Sequence, residues 1–490
     1  MGVIQRQGIK NAIIVYLGIV VAFVNILIIQ PNFLTKEELG LTRILFNFSI
    51  LMSTFLPIGI NSATLRFFPH FKNETTRHYG YFAYMMIFPM VGFVVLSILL
   101  LIFKSVIIGY YIEKSKLFTD YFNCIFLYMF VLALVSVLQC YAFSLLKTTV
   151  PSFINDIFVR ACIILLTIVY YYKWFSLEWY IYLTIGIYAL QVFLVMLYII
   201  YEEKPGLKID FSFLKTQNPK GMIRYGFMLS FTAMTAIGLK SIDSMFLGHY
   251  KGLETVAIYA IAALFSTVIE VPLNALEKIA SPNISRAYKE NDMNVVKDIY
   301  YKSSRYLLLM GGLLFLGINI NIHYLYQLTP KDYSSATTVV LIVSIGTLIN
   351  MATGVNDSIL FNSNKYIYGT YMLLMLFGLA IITNMIFIPI FGMEGAALAT
   401  CLSSFAYNFV KYFFIWKHFH LQPFDMKTIV IIFLIGVCFG INFLLPSFDG
   451  AILNIVFRSS IITLVYLAGT YFFRIIPEFH HYIPYLKRKN

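Results

Sequence analysis

Apolar runs of about twenty residues or more follow one another along the whole chain, each closed by a short polar stretch. A helix rises about 1.5 Å per residue, so about 20 apolar residues cross a hydrocarbon core about 30 Å thick. About fourteen runs meet that length, near residues 9–30, 40–65, 79–103, 121–146, 151–172, 177–201, 222–247, 255–276, 305–326, 335–361, 366–390, 393–416, 427–446 and 451–474. The runs are continuous, whereas the strands of a membrane barrel read as alternating segments of about ten residues. The predicted fold class is all-α, a polytopic membrane protein of about 14 transmembrane helices.

Composition agrees with that pattern. Of the 490 residues 60% are hydrophobic and 12% charged, against about 25% charged in a soluble domain. No polar stretch is long enough to build a separate soluble core, so function lies in the membrane or at its faces. The first apolar run has a basic start, but it is too long for a signal peptide and lacks a small-x-small cleavage site, which predicts a retained span.

The net charge of +13 does not point to nucleic acid, because its distribution follows the loops. One set holds most of the cations, among them Arg6, Lys10, Arg66, Lys72, Arg77, Lys147, Lys204, Lys278, Arg286, Lys365, Lys411, Lys417, Lys427 and the tail from Arg474. The opposite set holds Lys36, Lys104, Lys114, Lys116, Lys173, Lys251 and Lys331. This asymmetry is the positive-inside bias, and with an even helix count it predicts both termini on the cytoplasmic side. The basic surplus can also attract anionic membrane lipids. Cys124, Cys140, Cys162, Cys401 and Cys438 all fall in apolar runs without metal or redox spacing, so no metal site is expected.

The chain also repeats. Arg6-Gln7-Gly8 opens the first run and Arg224-Tyr225-Gly226 the seventh, and KEELGLTRIL (36–45) parallels GLETVAIYAI (252–261). The charged stretch 202–220 lies between the copies. The predicted organisation is an N-terminal six-helix bundle at 1–201, a cytoplasmic linker at 202–220, a second six-helix bundle at 221–417 in pseudo-two-fold arrangement with the first, and two extra helices with a basic tail at 418–490. Parallel repeats of this kind place a substrate path at their interface.

Three stretches carry a family resemblance: FLTKEELGLTRILFNFSILMSTFLPIGINSATLRFFP (33–69), SIDSMFLGHYKGLETVAIYAIA (241–262) and FGMEGAALATCLSSFAYN (391–408). They resemble the bacterial polysaccharide transporters, the O-antigen and capsule flippases of the multidrug/oligosaccharidyl-lipid/polysaccharide exporter superfamily. The resemblance implies a pair of six-helix bundles that alternates between inward and outward openings. It also implies transport of an undecaprenyl-pyrophosphate-linked oligosaccharide across the bacterial inner membrane, and partners among polymerases and other glycan-assembly proteins. Helices thirteen and fourteen lie outside the repeat, and in related lipid flippases they help form a groove for the lipid tail. No cofactor is expected beyond a coupling proton or sodium ion.

The chemistry of that task selects candidates. The lipid tail stays in the bilayer while the pyrophosphate and sugar hydroxyls cross a core in which one charge costs at least about 2.5–3.5 kcal/mol. Cations facing a wet cavity lower that cost, and arginine matches phosphate through its bidentate fork. Arg160 lies about 14 Å along its run from Pro151, near the midplane. A role toward the head group competes there with an ion pair to a neighbour such as Asp156. Glu270, about 21 Å into the eighth run and just before Pro272, is placed to carry a coupling proton or sodium ion or to neutralise an arginine. Lys240 and Asp243, about 27 Å along the seventh run, read either as a snorkelling pair at a helix end or as part of an outer cavity. Arg43 and Asp357 lie near run ends, Arg66 reads as an inner-edge anchor, and Arg458 lies within about 12 Å of the outer boundary, within reach of a lipid phosphate.

The chain holds no GxxxxGK[ST], no HExxH and no Cys/His cluster, so neither a nucleotide-binding loop nor a metal centre is visible. The outer loops are short, the longest being 104–120, which disfavours a membrane glycosyltransferase or polymerase. The remaining rival is an ion-coupled multidrug antiporter of the same superfamily. Many proton-coupled members of that branch use an aspartate in helix one, as the resemblance implies, whereas this helix one holds Asn25 and Gln30 and no carboxylate.

Overall fold

A computed structural model describes residues 13–15, 17–73, 76–206, 208–210, 219–328 and 333–475, with side chains at 69–71 and 219–225 left out. Arg6-Gln7-Gly8, the side chain of Arg224, most of the linker and the tail beyond Ile475 lie outside the described residues. Among the described residues every regular element is helical. The chain forms two compact units, Met1–Ile258 and Tyr259–Asn490.

The first unit contains α1 (Ile13–Phe33), α2 (Lys36–Ser53), α3 (Ile60–Phe71), α4 (Tyr81–Tyr111), α5 (Cys124–Ser144), α6 (Thr149–Tyr171), α7 (Leu177–Glu203) and α8 (Pro219–Tyr250). Within it α5 is the core element: 72% of its central window is buried, against 28% for α6 and 22% for α7. It packs against α2, α3, α4 and α7. Phe68, Tyr81, Phe82, Val137, Leu138, Tyr141 and Val195 close the core at one end. Helix α8 packs on α2 and α3, so the compact grouping runs past the linker to Ile258.

Local sequence explains where these helices start and break. Thr35 and Glu38 form a capping box at the start of α2, with Glu38 N–H donating to Thr35 Oγ1 at 3.1 Å and Thr35 N–H to Glu38 Oε2 at 2.8 Å, a cap worth about 1 kcal/mol. The second apolar run is one hydrophobic stretch in sequence but two helices in space. After Pro57 the chain turns through Ile58 and Gly59, at φ 47° and 84°, before α3 begins. A Cβ on Gly59 would stand 2.3 Å from the carbonyl carbon of Gly226 in α8. Glycine there supplies both the left-handed backbone and the close approach of two main chains. Single π-helical turns interrupt α1 at Val24–Ile29 and α6 at Ile154–Phe158; such turns are frequent at functional sites.

The second unit holds the rest of α9 (Leu253–Lys289), which straddles the boundary, followed by α10 (Met293–Asn319), α11 (Thr337–Ala352), α12 (Asn356–Asn362), α13 (Tyr366–Phe391), α14 (Met393–Phe419), α15 (Met426–Ile441) and α16 (Ala451–Phe472). Helices α13, α14, α11 and α10 pack in sequence, and α15 and α16 lie against α10 and each other. The Tyr466 hydroxyl ties α16 to α10 by donating to the Leu309 carbonyl at 3.0 Å. The tenth apolar run breaks at Gly354, φ 64°, where Ser304 Oγ donates to the Ala352 carbonyl and Val355 N–H to Ser303 Oγ. Two hydroxyls of α10 thus satisfy main-chain groups that the break between α11 and α12 leaves unpaired.

Ten described helices are long and apolar enough to cross a membrane. The four further spans expected from sequence fall on α2–α3, α8, α10 and α14. The first is broken at Gly59, and the other three carry polar side chains such as Asp243, Arg305 and Lys411. Membrane helices gain little hydrophobic driving force from packing on one another, so polar contacts inside each unit help to hold that unit's helices together.

Candidate functional site

A polar cavity in the first unit gathers residues from α1, α2, α5, α6 and α7. It offers about 140 Å³ to water-sized molecules, room for roughly five waters. A second space of about 400 Å³ shares the wall formed by Phe46, Arg160 and Tyr188 and is also lined by Asn61, Gln139 and Asn155. The two π-helical turns contribute Asn25 to the first space and Asn155 to the second.

Two arginines point into this region. Arg43 donates from Nη2 to Gln30 Oε1, and its buried Nε has no protein partner. Asn25 Oδ1 is likewise buried without one. Arg160 lines both spaces; its Nη1 donates to the Gly18 carbonyl of α1 and its Nη2 lies 3.8 Å from Asp156 Oδ1. Asp156 also accepts from Asn155 Nδ2 at 2.9 Å, so Arg160 is not its sole support. Phe46, Tyr128 and Tyr188 form an aromatic cluster, with Tyr128 and Tyr188 5.6 Å apart and Phe46 5.9 Å from Tyr128. No Asp or Glu lines either space among the described residues. The arrangement is a hydrogen-bonding, aromatic-walled site with two guanidinium groups and no acid in its lining, Asp156 standing beside Arg160.

The structure joins Arg160 to Arg43, which sequence placed near a run end. Helix α2 turns back on the end of α1, and its Arg43, Phe46, Ile50 and Ser53 line the two spaces in order at helical spacing. That stripe, an arginine opening a run of bulky residues, was the available signal. The tyrosines gave none, since the chain has 36 of them.

The other candidates do not join this cavity. Lys240 is exposed and Asp243 buried on α8. Arg66 is exposed, with its guanidinium 5.5 Å from the Phe67 ring centre. Arg458 is buried and fully engaged at its two terminal nitrogens. Nη1 donates to the Asn442 carbonyl at 3.1 Å and to Asn442 Oδ1, and Nη2 to the Leu445 and Pro446 carbonyls, each at 3.1 Å, and to Ser447 Oγ at 3.0 Å. It caps the carbonyl end of α15, as cations do at helix C-termini.

Asp357 belongs to a separate cluster in the second unit, and Glu270 is half-buried on α9. Lys411, counted from sequence among the cytoplasmic loop charges, is fully enclosed at 0% exposure. It donates to Asp357 Oδ1 at 2.8 Å and Asn356 Oδ1 at 2.9 Å, and its Nζ lies 4.0 Å from the Tyr407 ring centre. Tyr407 OH also donates to Asp357 Oδ1, at 3.1 Å. Sequence reasoning missed Lys411 because its neighbours Tyr412 to Trp416 look like the end of an ordinary span.

The match to known proteins follows the same architecture. A lipid II flippase, MurJ, in an inward closed conformation superimposes with TM-score 0.74 at 16% identity, covering 95% of this chain and 99% of that one. A multidrug resistance MATE family transporter of the MOP superfamily superimposes in its inward-facing conformation with TM-score 0.62 at 14% identity, over 78% of this chain and 90% of that one. An outward-facing MATE family transporter of that superfamily gives 0.58 at 12%, over 85% and 96%. These likenesses establish a transporter fold. No curated protein matches the sequence. The sequence profile of the family described as polysaccharide biosynthesis protein matches residues 6–288, more than half of the chain, and the chain therefore belongs to that polysaccharide biosynthesis family.

Proposed function

We propose that the protein is a flippase that moves an undecaprenyl-pyrophosphate-linked oligosaccharide, an O-antigen or capsule repeat unit, across the bacterial cytoplasmic membrane by alternating access. In this reading both termini face the cytoplasm, and a polymerase and other glycan-assembly proteins receive the product. The observation that carries it is the convergence of Arg43 and Arg160 on one cavity with an aromatic wall and no acid in its lining. Guanidinium groups in a partly desolvated cavity favour a diphosphate. The amide side chains and tyrosines suit sugar hydroxyls and ring faces. Export of cationic drugs would call for the opposite charge in such a cavity.

The test is deletion of the gene in its host, followed by analysis of lipid-linked intermediates. Accumulation of an undecaprenyl-linked oligosaccharide on the cytoplasmic leaflet, reversed by the wild-type copy, is expected. Unchanged glycans with new sensitivity to cationic drugs would replace this reading by the antiporter.

A further inference from the structure

The larger of the two spaces in the first unit, about 400 Å³, has a wall chemistry of its own. Its volume falls within the range of small-molecule sites, about 300–1,000 Å³. Arg160 and Tyr188 stand on the side shared with the smaller space, and every other polar side chain in the lining is an uncharged hydroxyl or amide. Three of the hydroxyls are committed as donors to their own helices. Ser53 Oγ donates to the Ile50 carbonyl and Thr54 Oγ1 to the Leu51 carbonyl, each at 2.7 Å, and Ser230 Oγ to the Gly226 carbonyl at 2.9 Å. What they keep for an occupant is oxygen lone pairs. Ser136 Oγ likewise donates to the Ala133 carbonyl at 2.8 Å, so it accepts from Asn61 Nδ2 at 3.2 Å. That contact fixes the orientation of the Asn61 amide and leaves its Oδ1, which has no protein partner, as a further acceptor. Such a wall takes the hydroxyl groups of a sugar, which donate, and repels a carboxylate, which only accepts.

Gln139 adds a group that can do both. It is the only amide side chain on α5, the core helix of the unit, and it lines the space half-buried. Its amide makes no hydrogen bond to the protein, and neither does the hydroxyl of Ser62 on α3, the helix packed against α5. An amide left unpaired in a membrane core is costly until water or a ligand completes it. Its donor and acceptor lie side by side, the complement of two adjacent ring hydroxyls or of an acetamido group. Water held there is readily displaced by groups that reproduce its hydrogen bonds.

We propose that the larger space is a sugar subsite, in which Gln139 reads the uncharged ring next to the diphosphate and from which an acidic ring is excluded. The inference rests on the flippase reading, because a diphosphate between Arg43 and Arg160 is what brings the first sugar to this wall: Arg160 borders both spaces. An acidic ring would set its charge against the acceptors of Ser53, Thr54 and Asn61, and the one guanidinium that lines the space is already turned to the diphosphate.

The test measures binding of the full chain in detergent to three short-chain polyprenyl diphosphates: one without sugar, one bearing an uncharged hexose and one bearing the corresponding hexuronic acid. At constant pH and salt the hexosyl lipid is expected to bind at least about tenfold more tightly than either of the others, the worth of one or two hydrogen bonds. Gln139→Leu should bring the hexosyl lipid down to the sugar-free level and leave the sugar-free lipid unchanged, a split that a merely structural role would not produce. Equal affinity for the hexosyl and sugar-free lipids, tighter binding of the hexuronosyl lipid, or a uniform loss across all three in Gln139→Leu would each overturn the proposal. The comparison of the three lipids on the wild-type chain needs no variant to fold. Equal binding of all three would leave the flippase reading standing, whereas a chain that binds none of them removes both.

Discussion

Arg160 occupies both positions that sequence treated as rivals, since it lines the cavity and also contacts Asp156. The structure decides what its loss does. Stranding the partner of a buried pair costs about 3–5 kcal/mol. Asp156, however, keeps its bond from Asn155, and the two side chains are 19% and 31% exposed. Arg160→Ala is therefore expected to reach near-normal membrane abundance while export of the lipid-linked glycan falls at least about tenfold, the loss of roughly one charge-assisted hydrogen bond. Arg160→Lys should retain part of the activity, because the charge survives without the fork. Immunoblotting of membranes beside surface glycan measurement separates the two readings; abundance that collapses and returns with Asp156→Asn would make Arg160 structural. Arg458 teaches the converse. From sequence it was a lipid-phosphate candidate, and only the neighbouring loop reveals that its terminal nitrogens are taken by carbonyls.

At the scale of elements, the two C-terminal helices are fastened through a helix cap. Asp425 Oδ1 accepts from Thr428 N–H at 3.0 Å at the start of α15, and Oδ2 accepts from Arg305 Nη2 at 2.7 Å and from Tyr301 OH. Burial opposes its ionisation, but the hydrogen bonds from Tyr301 and Thr428 and the Arg305 charge outweigh it, holding the carboxyl below its ordinary value of 3.8. The folded state thus binds the proton more weakly than the unfolded one. The stabilisation is complete above that ordinary value and is lost as pH falls through the lower folded value. Hydrogen exchange of α15 and α16 in detergent should accelerate below about pH 4 while α5 stays protected, and Asp425→Asn should remove most of that acid response. An unchanged response in the variant would shift the cause to another carboxylate. The sequence displayed the box, Asp425 three residues before Thr428, but not the arginine 120 residues away.

For the whole molecule, the charge bias between loops predicts which segments reach each side of the membrane, and the structure corrects where to probe. Within the 104–120 loop, Ser115 is an obvious site for a cysteine from sequence, yet it is buried and its hydroxyl donates to the Gly248 carbonyl. Its neighbour Lys114 is exposed, as is Asn291 between α9 and α10. A cysteine at Lys114 should be labelled by an impermeant maleimide added to intact cells lacking an outer-membrane barrier, and one at Asn291 only after permeabilisation. The reverse pattern would invert the topology and move both termini to the outside.

The sequence by itself determined the solvent, the helical class and the family, because membrane insertion is governed by the length and continuity of apolar runs, and these are one-dimensional properties. It also exposed Arg160, Asp357 and Glu270, since any charge inside an apolar run stands out. Tertiary structure decided which neighbours those charges meet. Arg43 joined Arg160 because α2 folds back on α1, and Lys411 moved from a loop to an enclosed pair because α12 breaks off at Gly354. Each of these depends on which face a helix turns toward a neighbour distant in sequence, and an almost uniformly apolar helix in a membrane carries little amphipathic pattern from which that face can be read.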